Sequence, residues 1–143
     1  MRRIPYSNTS MTVESFRELM VWKKAILLVK EIYLYTQNFP RDEIYGLTSQ
    51  MRRSAVSIPS NIAEGSERRT TKDFLQFLHV ARGSAAELET QIIISTSLYP
   101  NVELKSAQLL LDEVQRMLKA LMQSLEDKKE FTPHSALHTP HSV

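Results

Sequence analysis

The chain has no cysteine, only three glycines and no uninterrupted run of apolar residues long enough to span a bilayer, all within 143 residues. Without cysteine there are no disulfides, no thiolate nucleophile and no sulfur-ligated zinc, which agrees with a reducing compartment. A span would need about 20 apolar residues, and charges interrupt every hydrophobic segment, as Lys23 and Lys24 do beside Trp22. The N-terminal MRRIPYSNTSMTVESF starts basic, but no apolar run follows that would form the core of a signal peptide. The expected location is therefore the cytoplasm. One-signed charge is also missing: 18 Lys and Arg stand against 16 Asp and Glu, and the resulting pI of 8.9 does not by itself require a polyanionic partner.

Several catalytic signatures are missing too. A two-metal carboxylate site in a helical bundle needs Glu-x-x-His on two helices, and no Glu-x-x-His occurs. Glu64, Glu87 and Glu89 therefore read as salt-bridge or surface groups, and no metal or cofactor is expected. His79 has no spacing that links it to a serine and a third orienting group. Gly46, Gly65 and Gly83 are isolated, so no phosphate-cradling loop exists. His134, His138 and His141 cluster near the end, where TPHS occurs twice, but a loose tail makes a poorly preorganised metal site. The chain reads as not an enzyme.

What is present is helical periodicity. Scarce glycine, with prolines placed where patterns start or stop, marks an all-α chain. Leu19, Trp22, Ile26, Val29 and Tyr33 follow at steps of three and four and predict a first helix that ends at Asn38-Phe39-Pro40. A second pattern runs through Leu47, Met51, Ser54 or Ala55, Ile58 and Ile62 to Gly65, a candidate left-handed C-cap. Thr70-Thr71-Lys72-Asp73 reads as a capping box that opens a third helix, the longest, with Phe74, Leu78, Ala81, Ala85, Leu88, Ile92, Ser95 and Tyr99 on its core face. Gly83-Ser84-Ala85-Ala86 gives that helix a low profile that a neighbour can approach closely. After Asn101 as N-cap, the fourth pattern is Leu104, Ala107, Leu111, Val114, Leu118, Leu121 and Leu125. Short connections between amphipathic helices force antiparallel neighbours, so the expected fold is an up-down-up-down four-helix bundle over 15–126. Flexible segments are expected at 1–14 and 127–143.

Pro59 interrupts this regularity inside the second helix. A proline there removes an amide donor and crowds the Ala55 carbonyl, at about 3 kcal/mol in an isolated helix. A kink that curves the helix around a core, with Ser57 or Ser60 relieving the freed carbonyl, accounts for it. Arg53, Ser57, Ser60 or Asn61, and Glu64 form a polar stripe beside the apolar one, and taken alone this stripe reads as solvated. Arg52, Arg53, Arg68, Arg69, Lys72 and Arg82 concentrate around the second connection and its flanking helices, diluted by Glu64, Glu67 and Asp73. Displayed once they are an ordinary surface patch; repeated around an oligomer they would sum to a phosphate-binding surface.

Three blocks carry a family resemblance: FRELMVWKKA, then FP followed by E-x-YGLTSQMRRSAVSIPSNIAEG, and FLQFLHVARGSAAELETQI. They resemble the bacterial four-helix-bundle proteins encoded in intervening sequences of 23S ribosomal RNA genes, over roughly Phe16 to Leu125. The resemblance implies an antiparallel four-helix protomer, assembly into a ring-like homopentamer, and kinship with the accessory variability determinant of diversity-generating retroelements, a basic pentamer that associates with nucleic acid and a reverse transcriptase. If the ring applies, Arg53, Ser57, Pro59, Asn61 and Glu64 become candidates for subunit or interhelix contacts. Arg52, Arg68, Arg69, Lys72 and Arg82 are the nucleic-acid candidates. The expected function is a non-enzymatic homo-oligomeric scaffold or adaptor that recruits protein or RNA; the alternative is a sequence-nonspecific RNA- or DNA-binding module.

Overall fold

The computed structural model describes residues 15–130, with side chains through Lys128. Four helices account for nearly all of it: α1 (Met20–Thr36), α2 (Leu47–Ser66), α3 (Thr71–Leu98) and α4 (Lys105–Glu130), with 3₁₀ turns at Phe16–Glu18 and Arg41–Glu43. No strand occurs among the described residues. α4 continues to Glu130, four residues past the expected end of the bundle at 126. The expectations for 1–14 and for the tail beyond 130, including its three histidines, lie outside the described residues.

Side-chain bonds give the directions of the helices. Between α2 and α3, Ser57 meets Ser84 and Met51 meets Ser95, so one index falls as the other rises. Lys24 with Glu113, and Glu31 with Ser106, show the same for α1 and α4. Each helix packs on its two neighbours around a square, α1 beside α2 and α4, α3 beside α2 and α4, while the backbones of the diagonal pairs stay more than 8 Å apart between Cα atoms. Leu28, Met51, Leu88, Leu111 and Leu118 are fully buried in the common core. α3, with 28 residues, is about 42 Å long and is the ruler of the bundle.

The buried faces of α2, α3 and α4 follow the periodicity, while α1 differs. Its buried residues are Val21, Ala25, Leu28, Ile32 and Thr36. The expected stripe of Trp22, Ile26, Val29 and Tyr33 lies about 100° further round, half-buried or exposed. α1 carries two adjacent apolar stripes with the same spacing, and periodicity cannot choose between them. Packing chose the one with the smaller side chains, leaving Trp22 to stack edge-on against Phe16 with ring centroids 5.2 Å apart.

Gly65 is not a left-handed C-cap. α2 continues through it to Ser66, and the capping residue Glu67 is right-handed with φ −91°. A Cβ at Gly65 would sit 2.8 Å from Phe77 Cβ and 2.9 Å from Phe74 Cδ1, so the glycine is there because α3 lies against it. The Thr70 half of the expected capping box forms at the N-terminus of α3, with Thr70 Oγ1 accepting from the Asp73 amide at 3.1 Å. At α4 the capping side chain is Glu103, whose Oε1 accepts from the Lys105 amide at 2.9 Å, rather than Asn101.

Candidate functional site

The polar stripe of α2 divides into three parts. Ser57 and Asn61 face α3: the Ser57 and Ser84 hydroxyls share a 2.7 Å hydrogen bond, and Asn61 Nδ2 donates to the Ser57 carbonyl at 2.8 Å and to its hydroxyl at 3.0 Å. Asn61, not Ser57 or Ser60, is the side chain that turns back onto a carbonyl beside the proline. Pro59 is buried on the other flank, two turns on from Arg52 and so toward α1, and α2 passes through it unbroken. Arg53 and Glu64 are exposed and do not meet each other. Glu64 instead pairs with Arg68 one turn on, at 2.7 Å.

The basic candidates do not form one cluster. Arg52 is held at the end of α1, where its Nε donates to Thr36 Oγ1 at 2.9 Å and its Nη2 to the Tyr33 carbonyl at 3.3 Å, with the guanidinium 4.4 Å over the Tyr33 ring. A cation there satisfies a terminal carbonyl and suits the negative end of the helix dipole. Arg68 is engaged by Glu64 and lies 4.7 Å over the Phe77 ring. Arg52 and Ser66, the last residue of α2, are about 21 Å apart along the helix, and Arg69 lies beyond that end, so neighbours in sequence are separated in space. Arg69 and Lys72 stay exposed at the α2–α3 turn, without an ion pair among the described residues. Arg82 lies in a groove between α3 and α4 that is also lined by Glu89, Asp112, Gln115, Arg116 and Lys119. Inside it Gln115 Nε2 donates to Glu89 Oε1 at 3.2 Å.

Arg116 and Lys119 were not among the candidates. Their one-turn spacing was visible, but only the register of α4 against α3 brings them to Arg82. A second missed feature closes the end of the bundle at which both the α1–α2 and α3–α4 connections lie. There the Tyr99 hydroxyl donates to Glu43 Oε2, while Glu43 Oε1 accepts from the Leu47 amide at 3.0 Å and caps α2. The Tyr99 bond, aided by the Leu47 amide, holds the Glu43 carboxyl below its ordinary value, and the same bond to the carboxylate raises the Tyr99 phenol. Glu43 and Tyr99 are far apart in sequence, and nothing in their local patterns pairs them. A Cβ at Gly46 would lie 2.6 Å from Glu43 Oε1, so glycine keeps this cap open.

Among the described residues, no group of three or more His, Asp or Glu side chains is placed to hold a metal ion. No helix there is long and apolar enough to cross a membrane. A family model for the 23S rRNA-intervening sequence protein matches residues 17–120, from the first 3₁₀ turn well into α4. The chain belongs to this family. No curated protein matches it. The match covers the four-helix body of this intervening-sequence protein, including Pro59, the Ser57–Ser84 seam and the Glu43–Tyr99 bond. The family is one of unknown function.

Proposed function

We propose that this intervening-sequence protein is a non-enzymatic, homo-oligomeric scaffold or adaptor working in the cytoplasm. One observation carries the reading: four helices already complete the core, yet large apolar side chains remain exposed along α1 and α3, among them Leu27, Leu34, Val80 and Leu98. Exposed apolar surface of this kind marks association. The ring-like homopentamer that the family resemblance implies is the assembly we favour, and a recruited protein or RNA is its cargo. Light-scattering mass at low and high salt tests it: a multiple of the 16.5 kDa protomer that survives high salt is expected, and a monomer overturns it.

A second reading, sequence-nonspecific RNA or DNA binding, is favoured by Arg69 and Lys72, exposed at a turn without acidic partners among the described residues. Repetition around an oligomer would multiply their potential, and the kinship with the retroelement accessory protein that the family resemblance implies would point the same way. The discriminating variant is Arg69→Glu with Lys72→Glu. Arg52 and Arg68 are poor choices because their guanidinium groups support the fold. Loss of a salt-sensitive mass gain with total RNA supports this reading; an unchanged gain removes the turn from it.

A further inference from the structure

The exposed apolar residues are ordered. On α1, Met20, Leu27 and Leu34 repeat every seven residues and are 47–56% exposed. Leu27 stands between Lys24 and Glu31, both of which reach α4, at 3.3 Å to Glu113 and 2.9 Å from Ser106 Oγ. Leu109 stands likewise between Ser106 and Glu113 and is exposed, so this stripe lies on the α1/α4 face. On α3, Val80, Ile94 and Leu98 are 42–57% exposed. Val80 is one turn from Phe77, which carries Arg68 just past the C-terminal end of α2, and Leu98 is one turn from Ser95, which donates to Met51 of α2 at 3.3 Å. This second stripe therefore lies on the α2/α3 face, opposite the first across the square.

The two stripes fit each other better than either fits itself. Met20 to Leu34 and Val80 to Ile94 are both 14 residues, about 21 Å of helix, and a seven-residue repeat is the spacing at which side chains of two helices interlock along a seam. Exposed Lys23 and Lys30, also seven apart, border the α1 stripe; exposed Glu87 sits midway between Val80 and Ile94. Pairing α1 with α1 would oppose lysine to lysine, and α3 with α3 would oppose Glu87 to itself. Pairing α1 with α3 brings unlike charges together.

We infer that the α1/α4 face of one copy packs head-to-tail on the α2/α3 face of a second copy, with Met20, Leu27 and Leu34 against Val80, Ile94 and Leu98. This rests on the homo-oligomer reading and specifies its interface. Two different faces on opposite sides cannot satisfy each other in a closed two-fold dimer; they propagate to a ring or a filament.

The absence of cysteine makes the test clean. Leu27→Cys and Glu87→Cys, each at the midpoint of its 14-residue stretch and so opposed whichever way the two helices run, are prepared alone and co-expressed, oxidised, and compared with light-scattering mass before oxidation. A disulfide-linked dimer from the co-expressed pair, with none from either variant alone, is expected. Oligomeric mass without that cross-link, or cross-linking of one variant with itself, overturns the proposed faces while leaving the oligomer standing; monomeric mass for the parent protein overturns both. Charge reversal guards against a variant that merely disrupts: Glu87→Lys is expected to weaken association several-fold, and adding Lys23→Glu and Lys30→Glu to restore it. Failure of that restoration overturns the α1–α3 pairing.

Discussion

The α2/α3 and α1/α4 seams are built to different tolerances. Along α2/α3, glycine, serine and alanine bring the backbones together: Gly65 leaves no room for a Cβ, Ser57 bonds Ser84, and buried Ser54 and Ala55 face the core with Ala81 and Ala85. Along α1/α4 the outer contacts are a partly exposed Lys24–Glu113 pair and a Glu31–Ser106 hydrogen bond, with Leu27 and Leu109 left in solvent between them. The difference separates the seam that specifies the protomer from one with capacity to spare for a partner.

The comparison breaks most sharply at Gly65. Gly65→Val forces side-chain atoms into Phe77 and Phe74, and overpacking of this kind costs about 2–3 kcal/mol, read as a lower urea midpoint. An unchanged midpoint would mean that α3 moves away freely and that the seam is not tight. Ser84→Ala removes one member of the Ser57–Asn61–Ser84 cluster but leaves Ser57 bonded to Asn61, so a loss of about 1 kcal/mol is expected in the same assay.

Tyr99→Phe sharpens the comparison at the end of the bundle. Because Glu43 is held below its ordinary 4.5, the stability from its carboxylate is fully present above that value and is lost as pH falls through the depressed one. The gap between parent and variant should be widest near neutrality and close in acid. Tyr99 is raised above its ordinary 10.0, so the same bond is also lost as pH rises through the raised value. Urea midpoints from about pH 7 down to pH 3 would show a pH-independent gap if the carboxylate were not involved. The smallest effect belongs to α1/α4: Lys24→Met should change protomer stability by no more than a few tenths of a kcal/mol, as exposed pairs do. A loss above about 1 kcal/mol would show that this seam, too, is specified by its side chains.

Most of the fold was legible because helices advertise themselves locally. Most core positions of α2 and α4 and the Thr70 cap could be read from the sequence, since burial of one face imposes the three-four spacing, although Thr48 and Met122 are buried where Leu47 and Leu121 were expected. α1 was misread because apolar residues beside the buried stripe, Trp22, Ile26, Val29 and Tyr33, erase the contrast on which that reading depends; the interface proposed on α1 is a further stripe, Met20, Leu27 and Leu34. The candidate sites were less legible. Arg52 lies inside α2 and Arg69 beyond its C-terminal end, with about 21 Å of helix between Arg52 and Ser66. Arg82, Arg116 and Lys119 converge from two helices.

Local chemistry, carried by spacing, caps and breakers, was enough for an all-α chain of four helices in antiparallel order, without sulfur chemistry or a membrane-spanning segment. Only packing decided which stripe of α1 turned inward, that Gly65 serves helix approach rather than chain reversal, which arginines were spent on the fold, and that Glu43 meets Tyr99. Periodicity is a property of a few consecutive turns, whereas each of those outcomes depends on the register between helices distant in sequence, which no single stretch of chain encodes.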